Sequence, residues 1–366
     1  MFKKGNLDQN EFKNKIKIKK KSLLITIALL ALILFASMGI AVFFGPVSIQ
    51  ITKIFRILSY NIFKVFLGPQ ASLTTGMTYD IVWGIRFPRV LMGAIVGMGL
   101  SIVGVVMQAM VKNPLANPYI LGISSGASLG ATFAIMLGVG SLLGSNFIGL
   151  AAFIGALLAS IAVYSIANLG GKSSSVKLLL AGMAISALCS AFTSFIIYLA
   201  NDAQGMKTLT FWLMGSLVPA AWENILMPAV IIVLGVIYFL FQFRNLNMML
   251  IGDESALTLG TNLKSYRKKY IVVTSIMTGM VVYTAGTIGF VGLIIPHIVR
   301  SFVGTDHKKL IPISALVGAI FLVWTDVLAR LLITNSEMPI GIITSLLGAP
   351  FFIWLLIKKS YGFGGN

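Results

Sequence analysis

The feature that most constrains this chain is a series of long apolar segments that recurs along the whole sequence. A helix needs roughly 20 apolar residues to cross the hydrocarbon core of a bilayer, and about ten segments approach that length. Because the chain is 57% hydrophobic and only 10% charged, an ordinary soluble domain is excluded. The pattern predicts an all-α membrane protein with about ten transmembrane helices. Their centres lie near Leu32, Val96, Phe133, Leu158, Leu188, Ile231, Met277, Leu293, Phe321 and Trp354.

The basic residues predict the orientation of these helices. The net charge is +18, but with a cytoplasmic N-terminus and alternating helices about three quarters of the lysines and arginines fall on the inner side. This bias predicts cytoplasmic termini, and it favours contact of the basic segment 1–21 with anionic lipid over nucleic-acid binding. Residues 22–359 are expected to form the transmembrane domain, followed by a short tail, 360–366. The outer side then holds Lys53, Arg56, Lys64, Arg86, Arg89, Lys207 and Arg330.

Small residues at helical spacing predict close helix packing. The second helix is expected to begin at Arg86–Arg89, because Pro88 suits a first helical turn. Outside the membrane, the amphipathic connection 45–80 is expected to be partly helical, and 206–217 is expected to form a short helix that does not cross. The small-residue series are Gly93, Gly97 and Ser101, then Gly122, Gly126 and Gly130, and finally Gly286, Gly289 and Gly292.

The longest inner connection, 244–270, is predicted to have its own structure. Its centre reads as two short helices broken at Gly252, with an apolar face and a charged corner at Asp253 and Glu254. A structured loop of this length on the cytoplasmic side favours a docking surface over a plain connector.

Motifs for catalysis are missing from the sequence. The nearest match to a nucleotide-binding loop, Gly171-Lys172-Ser173, has Ile166 where the motif requires glycine. Two separate histidines, His297 and His307, and one cysteine, Cys189, do not predict a metal or cofactor site. The chain is therefore not expected to be an enzyme.

Few charges lie within the apolar segments, and this bears on how transport would be driven. Ion-coupled transporters often keep acids or bases inside the membrane, so an attached ATPase is favoured as the energy source, with an ion-coupled secondary transporter as the alternative class. Asp326 and Arg330, four residues apart, either satisfy each other or leave Arg330 facing an outer partner. Arg86 and Arg89 either lie at the lipid interface or bind an acidic surface.

Several motifs that occur in order resemble those of the permease subunits of type II ABC importers. These transporters import iron–siderophores, haem and vitamin B12. The resemblance covers about Tyr79 to Lys359. The motifs are Arg86-Phe87-Pro88-Arg89, Met107-Gln108, Asn113–Pro118, Leu178–Gly182, Gly286–His297, Pro339-Ile340-Gly341 and Leu347–Phe351.

The resemblance implies a ten-helix permease that dimerises with a copy of itself or a paralogue, with the pathway at the dimer interface. Separate ATPase subunits would bind ATP and Mg²⁺ below, and a substrate-binding protein would dock above. The expected cargo is an iron–siderophore first, then haem, then cobalamin.

The resemblance also assigns residue roles. Arg86, Arg89 and Arg330 would dock glutamates on the binding protein. A cytoplasmic gate would lie at Asn113, Leu115, Ser174 and Ser175. ATPase coupling would involve Met248, Gly252, Asp253, Glu254, Leu259 and Gly260. Independently of the resemblance, the small residues suggest helix packing along the pathway, either static or with rocking of the helices, at Gly286, Gly289, Gly292 and Pro296.

Overall fold

The computed structural model describes residues 4–63, 74–117, 119, 122–138, 147–169, 175–333 and 337–358. These residues form fourteen helices and no strand. The helices are α1 (Lys4–Ala41), α2 (Ile51–Phe63), α3 (Met77–Val111), α4 (Ile123–Met136), α5 (Phe147–Asn168), α6 (Ser175–Ala200), α7 (Ala203–Leu213), α8 (Trp222–Phe241), α9 (Phe243–Ile251), α10 (Asp253–Thr258), α11 (Leu263–Ala285), α12 (Val291–Val303), α13 (His307–Leu331) and α14 (Ile340–Lys358).

The predicted all-α membrane fold is confirmed. Six helices of the described chain are long and apolar enough to cross a membrane: Ser22–Ala41 within α1, and α3, α5, α6, α8 and α13. The apolar helices α4 and α12 are shorter, and at 1.5 Å per residue each covers about two thirds of a 30 Å hydrocarbon core. All ten predicted centres lie in helices.

Helix α3 is the central element of the bundle. Nearly every side chain from Val96 to Met110 is buried, and α8, α11, α12 and α13 all pack against it. The prediction that this helix begins at Arg86 holds for its α-helical part, which begins at Phe87 with Pro88 in the first turn, but helical chain extends further back, to Met77. A π-helical turn, Asp80–Arg86, carries the chain into the α-helical part, and it widens the helix just before Pro88, whose ring would clash in a regular turn.

Glycines allow the helices around α3 to approach each other. A Cβ at Gly97 would collide with the carbonyl of Gly318 in α13, and one at Gly104 would collide with the carbonyl of Gly292 in α12. Gly126 of α4 meets Gly155 of α5 in the same way. The two predicted series at a spacing of four therefore lie at close helix contacts.

The third glycine series does not lie on one helix. Helix α11 ends at Ala285, residues 286–290 are not helical, and α12 begins at Val291. Gly286 has φ +67° and lies against Trp212, Gly292 packs on α3, and a Cβ at Gly289 would meet no atom within 4 Å. The backbone turns at Gly286 and Phe290, both at positive φ, separate residues that a continuous helix would align.

The predicted short helices outside the bundle are present with shifted bounds. Helix α2 lies within the connection 45–80, α7 begins at Ala203 rather than at Met206, and α9 and α10 are separated at Gly252 as expected. The inner connection is shorter than predicted, because α11 already begins at Leu263. The first turn of α11 is capped by the Asn262 side chain, which accepts a hydrogen bond from the Lys264 amide at 3.1 Å.

The substitution Gly104→Ala tests the contact between α3 and α12. The added methyl group must push the two backbones apart, and we expect the free energy of unfolding to fall by about 1–3 kcal/mol. Thermal unfolding of the purified protein in detergent measures this. Gly39→Ala in α1 is the control, because a Cβ there meets no atom within 4 Å and alanine favours a helix. An equal Tm for Gly104→Ala and the parent protein would contradict the packing argument.

Candidate functional site

The non-helical segment 286–290 is where several helix ends converge. The end of α7 and the start of α14 lie against it. The Ser216 amide donates to the Ala285 carbonyl at 2.9 Å, and the Gly341 amide donates to the Met214 carbonyl at 3.0 Å. In a bilayer the backbone groups of a non-helical segment need partners inside the protein. Within the segment, the Ile288 amide and carbonyl are paired with Tyr119, while the two backbone bonds join the ends of α7, α11 and α14 beside it.

Tyr119 supports the centre of the same segment. Its hydroxyl donates to the Ile288 carbonyl at 3.0 Å and accepts a hydrogen bond from the Ile288 amide at 3.2 Å. The Thr287 hydroxyl donates to the Leu213 carbonyl. Tyr119 follows the inner turn that begins at Asn113, so one side chain connects that turn to the broken helix.

A cavity of about 500 Å³ opens beside the break. None of the residues that line it carries a charge, and its side-chain polar groups are the hydroxyls of Thr287 and Ser345. Gly289 and Gly341 leave backbone exposed to the space. The full lining is Leu213, Met214, Thr287, Gly289, Gly341, Ile342, Ser345 and Leu346. Such a surface offers many weak contacts to a large molecule and no strong one.

Another buried contact connects α3 to α12. The Gln108 side chain donates to the Leu293 carbonyl at 3.3 Å and accepts a hydrogen bond from Arg300 at 2.6 Å. Gln108 lies one helical turn after Gly104, the residue of α3 that packs on Gly292. The two contacts together hold the first turn of α12 against α3.

The structure describes three of the four predicted gate residues. Asn113 and Leu115 are half-buried in the turn after α3, where the Asn113 side chain accepts a hydrogen bond from the Leu115 amide at 2.8 Å. Ser175 is the first residue of α6, and Ser174 lies outside the described residues. Their common role as a gate stays a prediction.

The predicted coupling helices form the surface next to that turn. Gly252, at φ +120°, separates α9 from α10. Leu246 and Met249 of α9 are buried toward α3 and α13. The outward side of the pair is apolar, with Ile251, Leu257 and Leu259 at least 60% exposed, while Met248 is half-buried and Glu254 and Gly260 are exposed.

Ion pairs and polar contacts attach the coupling helices to the bundle. Asp253, one of the predicted coupling residues, pairs with Arg267 at 3.0 Å and approaches Lys112 at 3.9 Å. Asn247 donates to Asp306 at 2.9 Å and accepts a hydrogen bond from the His307 amide at 2.9 Å. A displacement of α9 and α10 would therefore act on the turn after α3 and on the start of α13.

The three predicted docking arginines are buried at the other end of the bundle, each no more than 5% exposed. Arg330 pairs with Asp326 at 3.1 Å, as the spacing of four allows. Arg89 binds Asp326 at 2.8 Å and Glu337 at 2.7 Å. Docking by these arginines stays a prediction, and in this structure their partners belong to the same chain.

The end of α1 is held by the same arginines. Arg86 donates to the carbonyls of Val42 and Phe43 at 3.1 and 3.2 Å. Arg330 donates to the carbonyl of Phe44 at 3.0 Å. Cations at a helix C-terminus stabilise its last carbonyls, so these side chains fasten α1 to α3 and α13.

Some of these residues were missed by reasoning from the sequence. Tyr119, Lys112 and Glu337 are adjacent to named motifs, but no spacing signals their partners, which are distant along the chain. Among the described residues, no group of three or more His, Cys, Asp or Glu side chains is arranged to hold a metal ion. A cofactor-free chain stays a prediction.

Comparison with known proteins identifies relatives of this arrangement. The model of the FecCD transport family matches residues 29–358. The hemin transport system permease HmuU of Yersinia pestis is 40% identical over 77% of this chain and 86% of its own length. The cobalamin import permease BtuC of Halobacterium salinarum is 44% identical over 75% of this chain and 73% of its own. A solved metal-chelate type ABC transporter in an inward-facing conformation is 31% identical, with a TM-score of 0.76, over 91% of this chain and 99% of that one.

The substitution Asp326→Asn tests the buried charge network. It removes the charge partner of Arg330 and one of the two partners of Arg89, and breaking a buried pair costs about 3–5 kcal/mol. We expect a lower Tm and reduced accumulation in membranes. Glu223→Gln, an exposed carboxylate at the start of α8, is the control and should stay within about 0.5 kcal/mol of the parent. Equal Tm values for the two variants would show that the network does not stabilise the fold.

Proposed function

This chain belongs to the FecCD transport family, and we propose that it is the membrane-spanning permease subunit of an ATP-driven importer that carries an iron–siderophore into the cytoplasm. The observation that supports this best is the uncharged cavity beside the break at 286–290. A large chelate that is gripped tightly cannot leave again, and transport requires sites from which the cargo departs readily. Specificity would then reside mainly in a separate binding protein.

Haem and cobalamin are the alternative cargoes, and the names of two relatives favour them. The hemin permease and the cobalamin permease are both at least 40% identical to this chain. The lining of the cavity, with hydroxyls and backbone as its polar groups, suits any of these large chelates. The choice among them is therefore a question for an uptake experiment.

The energy source in this proposal is a separate ATPase subunit with its own ATP and Mg²⁺. The exposed apolar side chains Ile251, Leu257 and Leu259 provide a surface for it to bind. The attachments of α9 and α10 to Lys112 and to Asp306 provide a route from that surface to the gate turn and to α13. An ATPase that moves the two short helices would thus act on the pathway.

The remaining partners are a second permease and an extracytoplasmic binding protein. The second permease would be a copy of this chain or a paralogue, and it would complete the pathway next to α14, where Leu346 is 64% exposed. Docking of the binding protein through Arg86, Arg89 and Arg330 requires these side chains to leave their present partners. The proposed location is the cell membrane, with both termini in the cytoplasm.

The substitution Gly252→Val tests the coupling surface. Valine strongly disfavours φ +120°, so the angle between α9 and α10 should change and less ATPase should copurify with the permease. Gly84→Val is the matched control, because a side chain there meets no neighbour and the backbone is not at positive φ. Equal recovery of the ATPase with both variants would argue against coupling at Gly252.

Uptake assays test the cargo. Cells with and without the gene would be given radiolabelled iron, bound either to different siderophores or in haem. Labelled cobalamin would be given in a separate assay. Loss of siderophore uptake alone supports the proposal, and loss of haem or cobalamin uptake reassigns the cargo. Uptake that persists with an ATPase-deficient partner but stops with a protonophore would instead indicate an ion-coupled secondary transporter.

A further inference from the structure

A second cavity, of about 410 Å³, lies between α5 and α11. It shares no lining residue with the cavity beside the helix break. Its walls are apolar over most of their area, with Leu157, Ile161, Val272 and Ile276 among the lining side chains. Lys268, in the second turn of α11, provides the one charged group of the lining.

The cavity is bordered by surface that suits lipid. Leu158 and Ile161 of α5 and Val272 of α11 are each about half exposed or more. Because α5 is long and apolar enough to cross a membrane and Val272 lies on the apolar half of α11 beside it, hydrocarbon is the expected neighbour of these side chains. A molecule that enters this cavity therefore comes most directly from the bilayer.

A buried hydroxyl in the cavity has no partner among the described residues. Ser275 is 2% exposed, and its side-chain oxygen makes no hydrogen bond to any part of the chain that the structure describes. Other hydroxyls nearby are satisfied: Ser160 donates to the Ala156 carbonyl at 2.8 Å, and Thr274 donates to the Tyr270 carbonyl at 2.7 Å. Since buried polar groups are normally hydrogen-bonded, Ser275 points to a ligand that carries an acceptor.

The positive charge of Lys268 at one end of the cavity adds a second requirement for the ligand. Lys268 lies two helical turns from Ser275, about 10 Å along α11, toward the end of the helix that follows the coupling loop. Lys264 and Lys269 are on the same end, and both are exposed. The ligand thus has a negatively charged head at this end of the helix and an apolar body with an acceptor deeper in the membrane.

We propose that this cavity binds one anionic phospholipid from the leaflet on the side of the coupling loop. The lipid phosphate pairs with Lys268, an ester carbonyl accepts a hydrogen bond from Ser275, and an acyl chain lies along Leu157, Val272 and Ile276. Basic pockets between transmembrane helices are a known mode of recognition for acidic lipid headgroups. Because α11 joins the coupling helices to the broken helix, the lipid would bind directly beside the moving parts of the transporter.

Native mass spectrometry of the purified protein in mixed phosphatidylglycerol and phosphatidylcholine tests the proposal. We expect the parent protein to retain one phosphatidylglycerol in preference to phosphatidylcholine. Lys268→Ala should weaken retention of phosphatidylglycerol about fivefold, the loss expected for one lysine at a lipid headgroup. Lys269→Ala is the matched control, because this neighbouring exposed lysine does not line the cavity, and it should retain the lipid as the parent does.

A second variant tests the cavity itself. Ser275→Leu fills the space, and it should abolish retention of phosphatidylglycerol in protein that elutes as a single peak on gel filtration. If this variant does not fold, the comparison of Lys268→Ala with Lys269→Ala decides. Equal losses for the two lysine variants, equal retention of both lipids by the parent, or full retention by folded Ser275→Leu would each overturn the proposal.

Discussion

The need to satisfy backbone polar groups away from water is the constraint on which the rest of this structure depends. A bilayer interior offers no water to an unpaired amide or carbonyl, yet the chain is not helical between Gly286 and Phe290. Tyr119 and the Leu213 carbonyl bond to this segment, the Ser216 amide bonds to its flank at Ala285, and the start of α14 bonds to the chain that follows α7. The break therefore requires that these elements converge, and their convergence leaves the uncharged cavity beside it. The same interaction both stabilises the fold and forms the candidate pathway.

Charge in this protein is concentrated at the ends of the bundle, where it connects helices. At one end Asp326 lies between Arg89 and Arg330, and Arg86 and Arg330 donate to the carbonyls just after α1. At the other end Asp253 attaches the coupling helices to α11 and to the turn after α3. Replacing a buried ion pair with apolar groups is often neutral for stability, so geometry is the better explanation for these pairs. They fix where helix ends lie, and they leave the cavity at the break free of charge.

Mechanical connection between the two ends follows from the central position of α3. Its C-terminal end contacts the coupling helices through Lys112, its middle packs on α12 at Gly104, and its first α-helical turn carries Arg86 and Arg89. Glycine contacts this close leave backbone against backbone, so a shift of α3 moves its neighbours with it. In the proposed importer, an ATPase and a binding protein would act on opposite faces, and α3 would be the rigid element that connects them.

Much of this architecture was determined by the sequence itself. The lengths of the apolar segments located all ten predicted helix centres. The spacing of Gly93, Gly97 and Ser101 indicated a close helix contact, and Gly252 marked the break between α9 and α10. The family motifs also indicated Gly286–His297 as an important segment. Only the tertiary structure decided that the chain leaves the helix there, that Tyr119 supports it, and that Arg86, Arg89 and Arg330 are turned inward. The periodicity of apolar residues predicts which face of a helix is buried, because the residues that form one face lie close to each other along the chain. The partners of a buried charge or of a broken helix come from residues far apart in sequence, and no local pattern specifies them.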